Sequence, residues 1–464
     1  MDRTQTCGYH RVIQLASGGH VASQALHRRL SRRSLLKWSA LGAFAVAASG
    51  CQVIPGLAPK AKLNVWTDAT FAPGSDDYQT QEIEAWAKNR GHEVEVTREG
   101  GGNVQTKLQA ALESKQLPDI SQVDSGRYTR FHPTKSLTDV SDLFGEIGKQ
   151  WGGWYQISQQ VVTKDGKQYA LPYSIDSSLL LYWNDVLREG GVREFPTESW
   201  RAMVDTMKRL MKPPDLYGIG FQFNKAGTDS ENTFGVWALA HGASLQKQDS
   251  RTLSIKTPEM KSFLEELKWS WDQGVYPPGT TGWDNAGNNT ALQDKKAIVI
   301  HNPASPLVWF RNNKPDSLQH IGVSASPKGK DGKSYNIAYL RDGFAVMATG
   351  NDAGIAASRD LLKHLYSKDV YRKWIEIAFP APALNGLEDM EIWKNPQRKG
   401  FLDAAKGGVR DGYPGEQTPA YAELQTRTPW LTMATRMIVD KWTPDQAMDE
   451  LDKIAVDVYS KHFK

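Results

Sequence analysis

Four carboxylates, Asp68, Asp124, Asp176 and Asp284, fall where short β-prone runs end or turn residues gather. With them go Ser125, Arg127, Asn302, Arg341 and Asp342, together with the aromatic residues Trp66, Tyr128 and Trp283. Carboxylate, amide and guanidinium groups bind hydroxyls in pairs, and aromatic faces cover apolar C–H surfaces. This mixture suits a polyhydroxylated ligand. Two carboxylates facing each other across a glycosidic bond, about 5–10 Å apart, would instead do hydrolytic chemistry, and sequence does not pair side chains across a cleft. A tethered polysaccharide-processing enzyme, a glycoside hydrolase or lyase, therefore stands as the alternative to a binding protein.

Other chemistries lack their signatures. The chain has no Gly-x-Ser-x-Gly elbow, no glycine loop ending in Lys-Ser/Thr and no His-Glu-x-x-His. Gly100-Gly101-Gly102 lacks nucleotide-loop spacing and reads as a turn. The two cysteines, Cys7 and Cys51, leave no pair for a metal or redox site in the body of the chain. The expectation is a non-enzyme with no catalytic residue, no cofactor and no metal.

The aromatic residues divide by context. Sixteen tryptophans less Trp38 leave 15 after residue 50. Trp86, Trp200, Trp269 and Trp374 sit in helical patterns and read as core. Trp151 and Trp154 flank Gly152-Gly153 and read as packing. Trp66 and Trp283, at a strand end and in a turn, are open to either ligand contact or packing, as is Tyr128. For Trp283 the expectation is ligand contact, so that Trp283→Ala weakens binding by roughly ten- to hundred-fold, at about 1.4 kcal/mol per decade.

The elements that would position these groups alternate. Leu63–Trp66, Val94–Val96 and Ile120 onward read as strands, separated by helices around Ile83 and Leu108. Strand–helix–strand at this spacing implies βαβ units and a parallel sheet. Ser199, Thr257 and Thr443 read as helix caps, the last with Gln446 as a capping box. Lys296–Ile300 and Phe344–Met347 read as buried strands. In open α/β sheets ligands lie beyond the carboxyl ends of strands, which places Asp68, Asp124 and Asn302 at a cleft.

Charge separates the ends of the chain. Residues 1–50 carry seven basic residues and one acidic residue, +6, so the remainder has 49 basic and 51 acidic residues, −2. The basic surplus is confined to the N-terminal segment, and no nucleic-acid partner is expected. Ser31-Arg32-Arg33-Ser34-Leu35-Leu36-Lys37 precedes the uncharged run Trp38–Ser49, the pattern of an export signal. Arg32 and Arg33 resemble the twin-arginine export motif, with the general export route as the other option. Ala47-Ala48-Ser49-Gly50-Cys51 resembles a lipobox, with Ala48 where leucine is usual. Residues 1–50 are thus expected to be a signal peptide and 51–59 a linker anchored through lipid on Cys51.

Several short stretches resemble one family. Leu171-Pro172-Tyr173-Ser174-Ile175-Asp176, followed by Leu181-Tyr182-Trp183-Asn184-Asp185, is similar to its Pro-Tyr-then-Tyr-Asn-Lys-Asp crossover, without the lysine. Phe195–Trp200 resembles its Pro-x-Thr-Trp helix start, and Leu292–Val299 its Phe-x-x-Gly-Lys-Ala-Ala-Met, with Lys295 replacing glycine. Arg341–Val346 is similar to its third crossover. The family is that of the extracytoplasmic solute-binding proteins of ABC importers, in the carbohydrate-binding branch typified by maltose-binding protein.

The resemblance implies an α/β periplasmic-binding-protein fold of two lobes and three crossovers. The N-lobe would be 60–174 with 300–341, and the C-lobe 175–299 with 342–464. It implies a monomer outside the cytoplasmic membrane that delivers a carbohydrate, from a sugar or sugar glycoside to a short oligosaccharide, to a permease and its ATPase. The expected ligand contacts are Trp66, Asp68, Asp124, Ser125, Arg127, Tyr128, Tyr173, Asp176, Trp283, Asp284, Asn302, Arg341 and Asp342.

Overall fold

The computed structural model describes residues 60–70, 72–100 and 103–463. The signal peptide, the linker, Cys51, Arg32 and Arg33 lie outside the described residues.

Twelve strands form along the described chain: β1 (Lys62–Asp68), β2 (Glu93–Glu99), β3 (Ile120–Val123), β4 (Thr163–Lys164), β5 (Lys167–Gln168), β6 (Leu171–Ser177), β7 (Leu179–Trp183), β8 (Tyr217–Ile219), β9 (Ala297–Asn302), β10 (Ile321–Ser324), β11 (Ala338–Val346) and β12 (Ala381–Pro382). One sheet runs β12-β6-β11-β3-β1-β2 and a second runs β10-β7-β9-β8; β4 and β5 form a small hairpin. β1 pairs in parallel with β2 and β3, as the strand–helix–strand spacing requires, while β11 enters antiparallel between β3 and β6.

Two buried cores follow the two sheets. Leu63, Val65, Ile120, Val123, Leu171 and Phe344 anchor the first. Leu179–Leu181, Trp200, Trp237, Phe263 and Ile298–Ile300 anchor the second. Local chemistry explains the helices around them. Ser199, Thr257 and Thr443 each accept a backbone N–H at a helix start, and Thr443 with Gln446 completes a capping box. Gly91 ends the helix Pro73–Arg90 in the left-handed region, φ 72°, which a residue with a Cβ rarely adopts.

The chain passes between sheets at three places. Ser178 alone separates β6, in the first sheet, from β7, in the second. The return runs from β10 to β11. The last crossing follows the helix Pro396–Gly407, whose Leu402 and Ala405 face the first core and Phe401 and Ala404 the second.

These crossings correct the expected lobe boundaries. Residues 300–337 were assigned to the N-lobe, yet His301 and Asn302 pair with Leu180 and Leu179, and Leu307, Phe310 and Ile321 pack in the second core. Residues from 342 onward were assigned to the C-lobe, yet Gly343–Val346 pair with β3. The helices Asp352–Leu365 and Lys368–Ala378 likewise bury Leu361, Leu362, Tyr371 and Trp374 in the first core. Arg341–Val346 is therefore the interior of a strand rather than a crossover. Its hydrogen bonds to both neighbours hold it in the first sheet.

Candidate functional site

Three adjoining cavities lie between the lobes, and Arg341 lines all of them. The larger, about 430 Å³, includes Asp68, Asp124, Arg127, Asn232, Tyr339 and Asp411 in its walls. The next, about 360 Å³, includes Asp229, Asn232, Asn285, Asn302, Tyr339 and Gln425. A small apolar pocket beside them is lined by Trp374, Phe379 and Pro303 together with Asp176 and Asp342.

Strand geometry sets the first-lobe wall. β11 pairs Leu340 with Ile175 and Asp342 with Ser174, so Arg341 is an extra residue in the ladder. A bulge of this kind re-aims a side chain, and here it delivers a guanidinium to the mouth of the cleft. Arg341 Nη1 lies 3.3 Å from Asp176 Oδ2, and its Nε lies 3.6 Å from Asp342 Oδ2. Asp342 is itself fixed, accepting from Gln122 Nε2 at 2.8 Å and from Ser174 Oγ at 2.6 Å. Burial pushes the Asp176 and Asp342 carboxyls up, against the pull of Arg341.

The second cluster grows from the ends of β1 and β3. Asp124 caps the short helix Ser125–Phe131 by accepting from the Arg127 backbone N–H at 2.8 Å. Its other oxygen accepts from Arg127 Nε at 2.8 Å. Arg127 Nη1 donates to Asp68 Oδ1 at 2.9 Å, and Nη2 donates to Asp68 Oδ2. Burial raises the Asp68 carboxyl and Arg127 opposes that shift. Ser125 Oγ accepts from the Leu340 N–H at 2.9 Å, joining this helix to β11 just before the bulge.

The second-lobe wall is built differently. Asp229, in the first turn of the helix Thr228–Ala240, accepts from Asn288 Nδ2 at 3.1 Å and Asn302 Nδ2 at 2.7 Å through one oxygen, Oδ2. Burial pushes its carboxyl up to about 7 despite those donors. Asp411 stands in the larger cavity, and burial, with Asp124 as a like charge, pushes it up to about 6. Glu231 accepts from the Trp430 and Leu431 N–H groups at 3.2 and 2.8 Å, holding the start of the helix Pro429–Ile438. Burial pushes it up to about 8.

Of the residues singled out in the sequence, Asp68, Asp124, Ser125, Arg127, Asp176, Asn302, Arg341 and Asp342 line these cavities. The aromatic candidates do not join them. Tyr128 is fully buried and donates to the Val162 carbonyl, and Tyr173 lies in a ring cluster with Tyr366, Tyr371 and Trp374. Trp66 packs on the first core beneath Lys107, 4.5 Å from the ring centroid. Trp283 folds back over Gly287, where an added Cβ would meet it at 2.5 Å, and packs on the second core. Asp284 Oδ1 accepts from Ala286 N–H within its own turn, while the next residue, Asn285, reaches the cavity.

Sequence reasoning missed Asp229, Asn232, Asp411 and Gln425. A signal existed for the first two. Thr228-Asp229-Ser230-Glu231-Asn232 is a polar run opening a helix that goes on to bury Phe234, Val236, Trp237 and Ala238.

The sequence profile of the bacterial extracellular solute-binding protein family matches residues 81–400, more than half of the chain, and the chain belongs to that family. The diacetylchitobiose binding protein DasA of Streptomyces coelicolor is 28% identical over 134 residues, covering 29% of this chain and 30% of that protein. The match thus spans less than half the length of that curated relative. A Thermotoga lettingae ABC-transporter solute-binding protein with bound α-D-tagatose superposes with a TM-score of 0.73 at 18% identity, covering 86% of this chain and all of that one. T. maritima MalE3 with bound maltose gives 0.72 at 17% identity, covering 85% and 99%. Both share the two-lobed α/β fold.

Proposed function

We propose that this solute-binding protein captures a carbohydrate between its lobes and presents it to an ABC-transporter permease and its ATPase. The observation that carries this reading is the pair of polar cavities walled from both lobes, with Arg341 at their junction. Only the closed form gives the ligand both walls, so closure is a population shift set by that difference in affinity. The ligands of the relatives, diacetylchitobiose, tagatose and maltose, support a sugar or short oligosaccharide. Asp68, Asp124, Arg127, Asp229, Asn302 and Arg341 would take its hydroxyls.

The protein acts as a binder rather than an enzyme, as a monomer outside the cytoplasmic membrane, held there by lipid on Cys51 after export directed by Arg32-Arg33. Among the described residues no helix is long and apolar enough to cross a membrane. A thermal-shift screen over sugars, polyols and oligosaccharides, with product analysis of each hit, tests the core of the proposal. Stabilisation by sugars without new products is expected. Stabilisation only by amino acids or phosphates would overturn the ligand class, and released products would replace binding by hydrolysis or lysis. Cys51→Ala is expected to free the protein from the membrane, and Arg32-Arg33→Lys-Lys to stop export.

A further inference from the structure

The charges lining the cavities do not balance. Arg127 spends Nε, Nη1 and Nη2 on Asp68 and Asp124. Arg341 lies between Asp176 and Asp342. Each guanidinium is thus outnumbered two to one before Asp229 and Asp411 are counted. Neither of those two carboxylates forms an ion pair among the described residues, although Arg341 lies near enough to Asp229 to oppose its shift. Asp229 is held by amides on one oxygen only, which leaves Oδ1 free on the cavity wall. Asp411 makes no side-chain hydrogen bond among the described residues, though it shares the larger cavity with Asp68 and Asp124.

The two sides of that cavity come from different lobes. Asp68 and Asp124 end strands of the first sheet, whereas Asp411 precedes Gly412, whose carbonyl accepts from Gln246 Nε2 of the second lobe at 2.8 Å. Closing the cleft brings like charges together in a space from which water is displaced, where their repulsion grows. A neutral ligand leaves that repulsion in place. An ammonium group between the carboxylates turns it into attraction, and the closed form then depends on the ligand's charge.

We propose that the ligand carries a protonated amine taken by Asp411 opposite Asp68 and Asp124, so that the protein selects an amino sugar or aminated polyol over its neutral counterpart. This inference rests on the carbohydrate-binding reading above. It extends that reading to the ligand's charge.

Calorimetric titration of the full chain with matched probes tests it: glucosamine against N-acetylglucosamine and glucose, and chitobiose against diacetylchitobiose. The free amine is expected to bind at least ten-fold more tightly than its acetylated or hydroxyl partner. Raising salt from about 0.05 to 0.5 M is expected to weaken amine binding several-fold while leaving neutral sugars nearly unchanged, because screening acts on the charge term. Asp411→Asn, which keeps the shape of the side chain, is expected to bring the pair close to parity. Equal or tighter binding of the neutral partner would overturn the amine and leave sugar capture standing. A full preference in Asp411→Asn would overturn the assignment to Asp411. Absence of binding by every sugar, charged or neutral, would overturn the carbohydrate reading itself.

Discussion

The two walls of the cleft hold their polar groups in opposite ways. On the first-lobe wall each carboxylate is answered: Asp342 by Gln122, Ser174 and Arg341, and Asp68 and Asp124 by Arg127. On the second-lobe wall Asp229 and Asp411 are displaced toward the neutral form by burial, and neither forms an ion pair among the described residues. A satisfied buried network stabilises one geometry, whereas an unsatisfied one holds free energy that a ligand can release. The first wall is therefore a finished template, and the second keeps polar atoms open to the cleft.

Removing a group from the finished wall should produce the largest effect. Asp342→Ala strands Arg341, Gln122 and Ser174 at a buried position. It is expected to lower unfolding free energy by about 3–5 kcal/mol in a urea titration. A loss below about 1 kcal/mol would show that this wall is no more committed than the other.

The next effect is one of pH. The folded-state carboxyls of Asp411, Asp229 and Glu231 are raised to about 6, 7 and 8, above their ordinary values. A raised group contributes stability that is complete below its unfolded value and is lost as pH rises through its folded value. Ligand-free protein is therefore expected to lose on the order of 2 kcal/mol between pH 5 and 8, and melting curves across that window measure it. Asp68, Asp176 and Asp342 of the first wall, also raised by burial, add to the slope in the same direction. Stability that rises over the same window would contradict the contrast.

Asp229→Asn should separate the roles further. It replaces a carboxylate that resists ionisation, so the ligand-free protein is expected to melt no lower at pH 7. Binding should weaken roughly ten-fold, about 1.4 kcal/mol, because an amide N–H donor replaces the open Oδ1 acceptor. The smallest effect is expected at Trp283→Ala. Its half-buried ring packs on the second core, so about 1 kcal/mol of stability should be lost while affinity moves less than two-fold. A ten-fold loss of affinity there would return Trp283 to the site.

The first wall was legible in the sequence, whereas of the second only Asn302 was, for a physical reason. Parallel strands deliver whatever follows them to one edge of a sheet, so Asp68, Asp124 and Asn302 could be placed from strand runs alone. Asp229 and Asp411 come from a helix start and from the chain after a crossover, where position is set by packing between distant segments. The lobe boundaries failed for a related reason. Arg341–Val346 has the same local composition whether it crosses between lobes or stays in a sheet, and only its pairing with Gln122 and Ser121 decides. Tyr128, Tyr173 and Trp66 were misplaced because an aromatic near a strand end suits a core as well as a cleft. Their burial depends on the helices laid over them.

The single residue between β6 and β7 bears on how fast and how tightly the protein can work. Ser178 leaves almost no slack, so the second wall meets a ligand already resting on the first as an intramolecular partner. Its effective concentration there, in the millimolar range for short tethers, is set by the tether and not by diffusion. The rotational and translational entropy of bringing the walls together has already been lost on folding. Contacts made by the second wall can then be weak one by one and still hold the ligand. The same contacts can release quickly, which suits a carrier that must give up its cargo.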